Sequence, residues 1–392
     1  MAYFTVKKPD ILFGFIGHNK GKIVNINLKF NYLTNIQRGE TDLFRTVHII
    51  PCENPYEKMW DSFLYFESEP TTKQFLFRIY EHTHHKKGMV YAFQNTSKFI
   101  YYVKQARQYY IAAVNSDILV RPLLLYYGMV SLLKAYVLTQ DPDYPSHSKV
   151  LQHGVTSRKI KKSRYSFAEE EVKIQKEGLL PYVHSFLSKE TLSDKYLIQD
   201  LLSLIPELQL AYQKLYNKSS LINVSLSSDY DFRHQTTVFY LPDRILDAAH
   251  LTYTSFIHYI NRFNEGSSFV SASSHKAPHG LVCFEWTHPS GNHVAENGNG
   301  FENSLFTQDY KGNFYFKINN EKKLHEITNH YIVMYVLGML CRYETERWGE
   351  IIFSFASEDM YIIHEFLTVS CRKFPNLLYD LLLGERHIFQ AT

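Results

Sequence analysis

Between Lys149 and Arg164 the chain places Lys149, Arg158, Lys159, Lys161, Lys162 and Arg164 with no carboxylate among them. Guanidinium and ammonium groups at this density donate charge-assisted hydrogen bonds to anionic oxygens, phosphate above all. His153, Thr156 and Ser157 add further donors, and Gly154 is backbone that an anion could approach closely. Tyr165 and Phe167 follow at once, as rings on which a nucleobase could stack. The competing reading is a lysine-rich loop that is merely solvated.

Other constellations carry less chemistry. His82, His84 and His85 adjoin Lys86 and Lys87, whose charges oppose capture of a cation, so they are expected to be surface histidines. His325, Glu326 and His330 form HExxxH, one residue longer than the zinc-protease pattern. At that spacing two imidazoles on a helix diverge by about 140°. Gly14, Gly17, Gly21 and Lys22 lack the P-loop spacing, and Ile23 stands where a magnesium-holding hydroxyl belongs. Glu285, His288, His293 and Glu296 fall in a polar, glycine-rich stretch that reads as a loop between strands. Arg342, Glu344, Glu346, Arg347 and Trp348 read as a salt-bridge network joining helices, with an arginine pair facing the basic stretch as its functional version. No metal site and no cofactor is expected.

The whole chain has 392 residues with 42 basic against 39 acidic, a net charge of only +3. No global field would draw it to nucleic acid or an acidic membrane, so any electrostatic function must be local. Cys52, Cys283, Cys341 and Cys371 form no CxxC pair and are expected to be reduced thiols. No apolar leader opens the sequence, and the most apolar helical stretches are interrupted by Tyr, Lys and Gly. A cytoplasmic protein with no membrane partner is the expectation.

These residues must be positioned by a scaffold that reads as α+β and predominantly helical. Strands are expected at Ile11–Ile16, Lys22–Leu33 and Thr46–Ile50, as an N-terminal hairpin or meander. Helices follow near Tyr56–Phe66, Ser97–Asn115 and Pro122–Thr139, the last stopped by Asp141, Pro142, Asp143 and Pro145. The segment AEEEVKIQKEG, with early carboxylates and Gly178 at its end, predicts a short helix. Two further helices are expected from Ser193 and Pro206 to about Asn217, and alternation returns over Leu221–Leu241. Pro242–Phe263 predicts one helix, Gly280–His288 a strand, and Lys311–Gly312 the turn of a hairpin. The chain closes in helices through HYIVMYVLGMLCRYE, EDMYIIHEFLTVSCRKF and Pro375–Leu383. The expected division is a β extension over 1–52, a helical core with the basic loop over 53–218, a β-rich insertion with one helix over 219–327, and C-terminal helices over 328–392.

The blocks LLLYYGMVSLLKAYVLTQDPDYPSHSKVLQHGVTSRKIKK, YSFAEEEVKIQKEGLL, RYETERWGEII and EFLTVSCRKFPNLL occur in order across Arg121 to Leu378, and here the chain resembles the YaaC-like family of bacterial proteins. The resemblance implies a bacterial cytosolic origin and no defined chemistry. The helix YYGMVSLLKAYVLT is also similar to the core of HEPN proteins, which include ribonucleases that use an arginine followed four to six residues later by a histidine. Arg78 with His84 fits that spacing, and His85 follows one residue beyond it.

Three functions follow. The first is binding of a phosphate-bearing ligand, nucleotide or RNA, through Lys149, His153, Arg158, Lys159, Lys161, Lys162 and Arg164. The second is a metal-independent HEPN-like ribonuclease with His153, Arg78 and His84 as its catalytic candidates. The third is a structural protein that meets a protein partner or a second copy of itself through its aromatic surface.

Overall fold

The computed structural model describes residues 47–84, 87–157, 165–188, 190–226, 236–262, 268–272, 277–287, 305–318, 324–354 and 358–392. All lie within one compact unit, Leu33–Thr392. The strands expected before Thr46 lie outside the described residues.

The described course starts with β1 (Val47–Cys52) and α1 (Pro55–Phe63), where Asn54 Oδ1 accepts from the backbone N–H groups of Tyr56 and Glu57. This side chain answers donors that the first turn of a helix leaves unpaired. Helices α2 (Glu69–His84), α3 (Gly88–Val114) and α4 (Arg121–Gln140) follow as packed neighbours. Helix α2 and the first nine residues of α3 go beyond the helix expected from Ser97, because neither carries a sharp apolar stripe. In α4 the side chains of Leu125, Met129, Leu132, Leu133 and Val137 are fully buried. A Cβ at Gly128 would stand 2.7 Å from the Tyr110 ring, so the absence of a side chain lets α3 and α4 close on each other. By length and composition α4 could cross a membrane, yet 72% of its apolar window is buried inside the protein. It serves here as a core helix.

Next come β2 (Val155–Ser157), β3 (Glu171–Ile174), α5 (Leu179–Leu187), β4 (Lys195–Leu197), α6 (Ile198–Ser203) and α7 (Gln209–Tyr216). The three strands form an antiparallel sheet in chain order. The helix expected over AEEEVKIQKEG is therefore strand β3. Val172 is buried and pairs with Ser157 and Tyr196, while Lys173 is exposed. Apolar alternation of period two prevailed over charges that suited a helix dipole. Gly178, with φ +131°, precedes α5 instead of ending a helix.

A six-stranded antiparallel sheet follows, built from β5 (Leu221–Leu226), β6 (Thr236–Pro242), β7 (Ser268–Ser271), β8 (Leu281–Thr287), β9 (Phe306–Gln308) and β10 (Phe314–Lys317), in the order β7-β8-β6-β5-β10-β9. It has its own aromatic core of Phe239, Phe284, Trp286, Phe306 and Phe316. The single helix expected over Pro242–Phe263 is two, α8 (Arg244–Ala249) and α9 (Tyr253–Asn261). His250 turns left-handed at φ 54°, and Thr252 Oγ1 accepts from the Ser255 N–H to open α9. The hairpin at Lys311–Gly312 is present, with Asp309 Oδ1 accepting from the N–H groups of Lys311 and Asn313.

The chain ends with α10 (Glu326–Tyr343), α11 (Thr345–Phe353), α12 (Asp359–Leu383) and β11 (Arg386–Ala391). Pro375, expected to open a helix, lies inside α12. Strand β11, absent from the sequence reading, pairs in parallel with β1 and sets His48 opposite His387. Among the described residues these two distant segments form that sheet, so neither signals it alone.

Where α10, α12 and the β9–β10 hairpin meet, charge is buried. Lys373 Nζ, 1% exposed, donates to Glu207 Oε1 at 2.8 Å and to the Gln308 carbonyl, and stands 3.3 Å from Glu326 Oε1. Glu207 Oε1 also accepts from the Tyr310 N–H, and Thr307 Oγ1 donates to Glu326 Oε2. Burial opposes the Glu326 charge, but Lys373, His330 and Arg386 together outweigh it and hold the carboxyl down at about 2.

Candidate anion-binding site

His153 lies where the chain leaves α4 and crosses towards α10. Its backbone is fixed by two glycines that pass face to face. A Cβ on Gly154 would fall 2.4 Å from Pro181, and one on Gly178 would fall 2.4 Å from the Gly154 Cα. Both have positive φ, +80° and +131°, which L side chains rarely adopt. The Leu179 N–H donates to the Gln152 carbonyl and the Gln175 N–H to that of Gly154. Gly154 therefore serves a chain crossing and not, as its sequence position suggested, the close approach of an anion.

The imidazole is oriented by tyrosines. The Tyr126 hydroxyl is 2.6 Å from His153 Nδ1 and 3.0 Å from the Tyr331 hydroxyl, which donates to the His153 carbonyl at 3.0 Å. One proton arrangement supplies a hydrogen to every contact. Nδ1–H donates to Tyr126, Tyr126 donates to Tyr331, and Tyr331 donates to the carbonyl. That tautomer leaves Nε2 as a bare acceptor. Burial lowers the His153 pKa, and the charges of Arg342 and Lys134 lower it further, so the ring is held neutral.

Both cations lie near enough to act on the ring through their charge. Arg342, in the last turn of α10, donates to the Tyr127 hydroxyl at 2.9 Å, and its guanidinium lies 4.8 Å from the centre of the Tyr343 ring. Lys134 stands over the Tyr102 ring at 5.8 Å, with its pKa lowered by burial. Among the described residues neither has a carboxylate partner.

The described residues stop at Ser157 and resume at Tyr165 on either side of the basic run. Ser157 before it and Tyr165 after it line one small cavity together with Glu170, Glu344 and Arg347. Arg347 pairs with Glu344 and lies over the Tyr165 ring at 4.8 Å. The structure thus brings both C-terminal arginines to the root of the stretch, Arg342 by His153 and Arg347 by Tyr165. Lys149 is 2.8 Å from Glu177, both well exposed. Arg158, Lys159, Lys161, Lys162 and Arg164 lie outside the described residues, as do the His288, His293 and Glu296 positions. Phe167 is fully buried and Tyr165 is covered, so neither is free to stack on a base as expected.

Arg78 and His84 both lie on α2. The HExxxH residues part company. His325 caps α10 by accepting from the Ile327 N–H, Glu326 joins Lys373, and His330 bonds Ser370 Oγ at 2.8 Å. Sequence reasoning missed Tyr126, Tyr331 and Lys134, which looked like ordinary residues of core helices. The Tyr-Tyr pair at Tyr126 and Tyr127 was the one signal present.

A family model described as YaaC-like Protein matches residues 64–382. No curated protein and no solved structure matches the chain.

Proposed function

The chain belongs to the YaaC-like family, and we propose that within it this protein is a cytoplasmic binder of a phosphate-bearing ligand, nucleotide or RNA. The observation that carries the reading is the pair Arg342 and Lys134, cations without a carboxylate among the described residues, beside a neutral histidine at the root of a six-cation stretch. Cations that a fold leaves without counter-charge attract an anion from solution. Tyr343, 61% exposed with Arg342 on one face, is the ring that remains open to a base, whereas Tyr127 is stacked on Tyr109. The test is a thermal-shift and filter-binding measurement with ATP and a short RNA at two salt concentrations. Binding should weaken with salt, and both Lys159→Glu/Lys161→Glu and Arg342→Ala should lose at least about tenfold in affinity. Unchanged affinity in both variants sinks the reading.

A second reading, a metal-independent ribonuclease of the HEPN kind, is favoured by the tyrosine chain that leaves His153 Nε2 unprotonated. There Nε2 takes the proton from the attacking 2′-hydroxyl while Arg342 steadies the phosphate. RNA cleavage that survives both His153→Ala and His84→Ala removes it. A third, protein association, draws on Met89, Val90, Phe93 and Tyr101, all more than half exposed on α3. Light scattering on the purified chain reports whether it self-associates.

A further inference from the structure

Away from the His153 site, the pairing of β1 with β11 creates a cluster that no local stretch of sequence contains. His48 on β1 is the register partner of His387 on β11, and Glu385 lies in the turn just before β11. His48 Nε2 is 2.7 Å from Glu385 Oε2, and His387 Nε2 is 3.8 Å from the same oxygen. The two imidazoles stack with centroids 5.1 Å apart and planes 20° apart. All three ligand atoms fall within 4.8 Å of one another.

We propose that His48, His387 and Glu385 form a site for a divalent transition-metal ion of borderline softness, with Zn2+ as its representative. A tetrahedral ion bound at roughly 2.0–2.2 Å holds neighbouring ligand atoms about 3.3 Å apart. The two distances to Glu385 Oε2 bracket that value, so shifts of about half an ångström would seat the ion. Two imidazoles and one carboxylate are a donor set suited to zinc, iron or nickel and poor for calcium or magnesium.

The surroundings fit the same assignment. His387 Nδ1 is 3.0 Å from Asp380 Oδ1, which also accepts from the His387 backbone N–H at 2.9 Å. A carboxylate on Nδ1 fixes the tautomer in which Nε2 is the free donor to a metal, the support that metal-binding histidines commonly have. Asp380 is itself held by Arg386 at 2.6 Å and by Asn376. Asp380 and Glu385 against Arg386 leave one net negative charge around two imidazoles, which favours a cation. Ions can enter past His48, whose side chain is 38% exposed, while those of Glu385 and His387 are 14% and 8% exposed. Three protein ligands leave a fourth position for water or substrate. On binding, the ion takes the place of the hydrogen that His48 Nε2 shares with Glu385, and that proton moves to Nδ1 or to solvent.

The experiment uses the full chain without a histidine tag, freed of metal by a chelator. Zn2+ is titrated by calorimetry and Co2+ by its visible absorption. One equivalent of each should bind, and Co2+ should develop the intense bands of a low-symmetry, four-coordinate ion. His48→Gln and Glu385→Gln, checked for retained fold by circular dichroism, should each weaken binding at least about tenfold. His364→Gln, an exposed histidine 4.0 Å from Glu365, should leave it unchanged. Absence of stoichiometric binding to the unmodified chain overturns the assignment, whatever the variants do. So does binding that both substitutions leave intact.

Discussion

The chain carries unusual positive charge in two described regions and treats it in opposite ways. At the junction of α10, α12 and the β9–β10 hairpin, Lys373 is closed in and answered by Glu207, Glu326 and a backbone carbonyl. At the His153 site, Arg342 and Lys134 reach, among the described residues, tyrosine rings and a hydroxyl and no carboxylate. Burying a charge is costly unless partners are built in, so the first arrangement fixes how helix and sheet meet. Leaving a cation without its counter-charge near solvent is tolerable, and it keeps the Coulomb attraction for something not part of the chain. A buried charge with partners marks architecture, whereas a half-open one without them marks a binding surface.

Removing the central cation is the harshest test of that contrast. Lys373→Met strands the Glu207 and Glu326 carboxylates in the interior and should cost about 3–5 kcal/mol in denaturant unfolding. A loss below about 1 kcal/mol would show that the cluster is not structural. Acid should break the same cluster without mutation. The Glu326 carboxyl sits below its ordinary 4.5, at about 2, so the unfolded chain binds the proton first as pH falls. Its stabilisation is complete above about pH 4.5 and gone by about pH 2, a loss of roughly 3 kcal/mol that Glu326→Gln should abolish from the pH profile.

Gly178→Ala probes the other region through its backbone. A Cβ there meets the Gly154 Cα at 2.4 Å in a conformation with φ +131°, so a loss of about 2 kcal/mol or more is expected. Ligand affinity should fall with it, because the displaced crossing carries His153. The mildest change in stability belongs to Arg342→Ala, within about 0.5 kcal/mol, although the same variant should lose at least about tenfold in affinity for ATP or RNA. If instead Arg342→Ala unfolds the protein and Lys373→Met does not, the two regions have been assigned the wrong way round.

Much of the helical scaffold was legible in the residues. Pro122 and the Asp141–Pro145 breaker delimit α4, and the Lys311–Gly312 turn marks its hairpin, because these signals act within a few residues. Where two local signals competed, the reading failed. Around Val172 the charges suited a helix while the apolar alternation suited a strand, and pairing with β2 and β4 decided it. The His250 break in Pro242–Phe263 was missed because a left-handed residue other than glycine leaves little trace in composition. Of the basic stretch, Arg158 to Arg164 lie outside the described residues. Of the neighbours expected at its ends, Arg347 does lie against Tyr165, while Phe167 and Tyr165 themselves are taken up by the protein and not left open to a base.

By itself the sequence determined membership of the YaaC-like family, the mainly helical character and the ends of the strongly capped elements, since each of these is written in neighbouring residues. Tertiary structure alone decided that Arg342 meets Tyr127 across 215 residues and that His48 meets Glu385 across 337. Side-chain periodicity and capping act within a turn or two of the chain. Which surfaces then close on each other is set by the packing of the whole core, and that packing placed the unanswered cations beside His153.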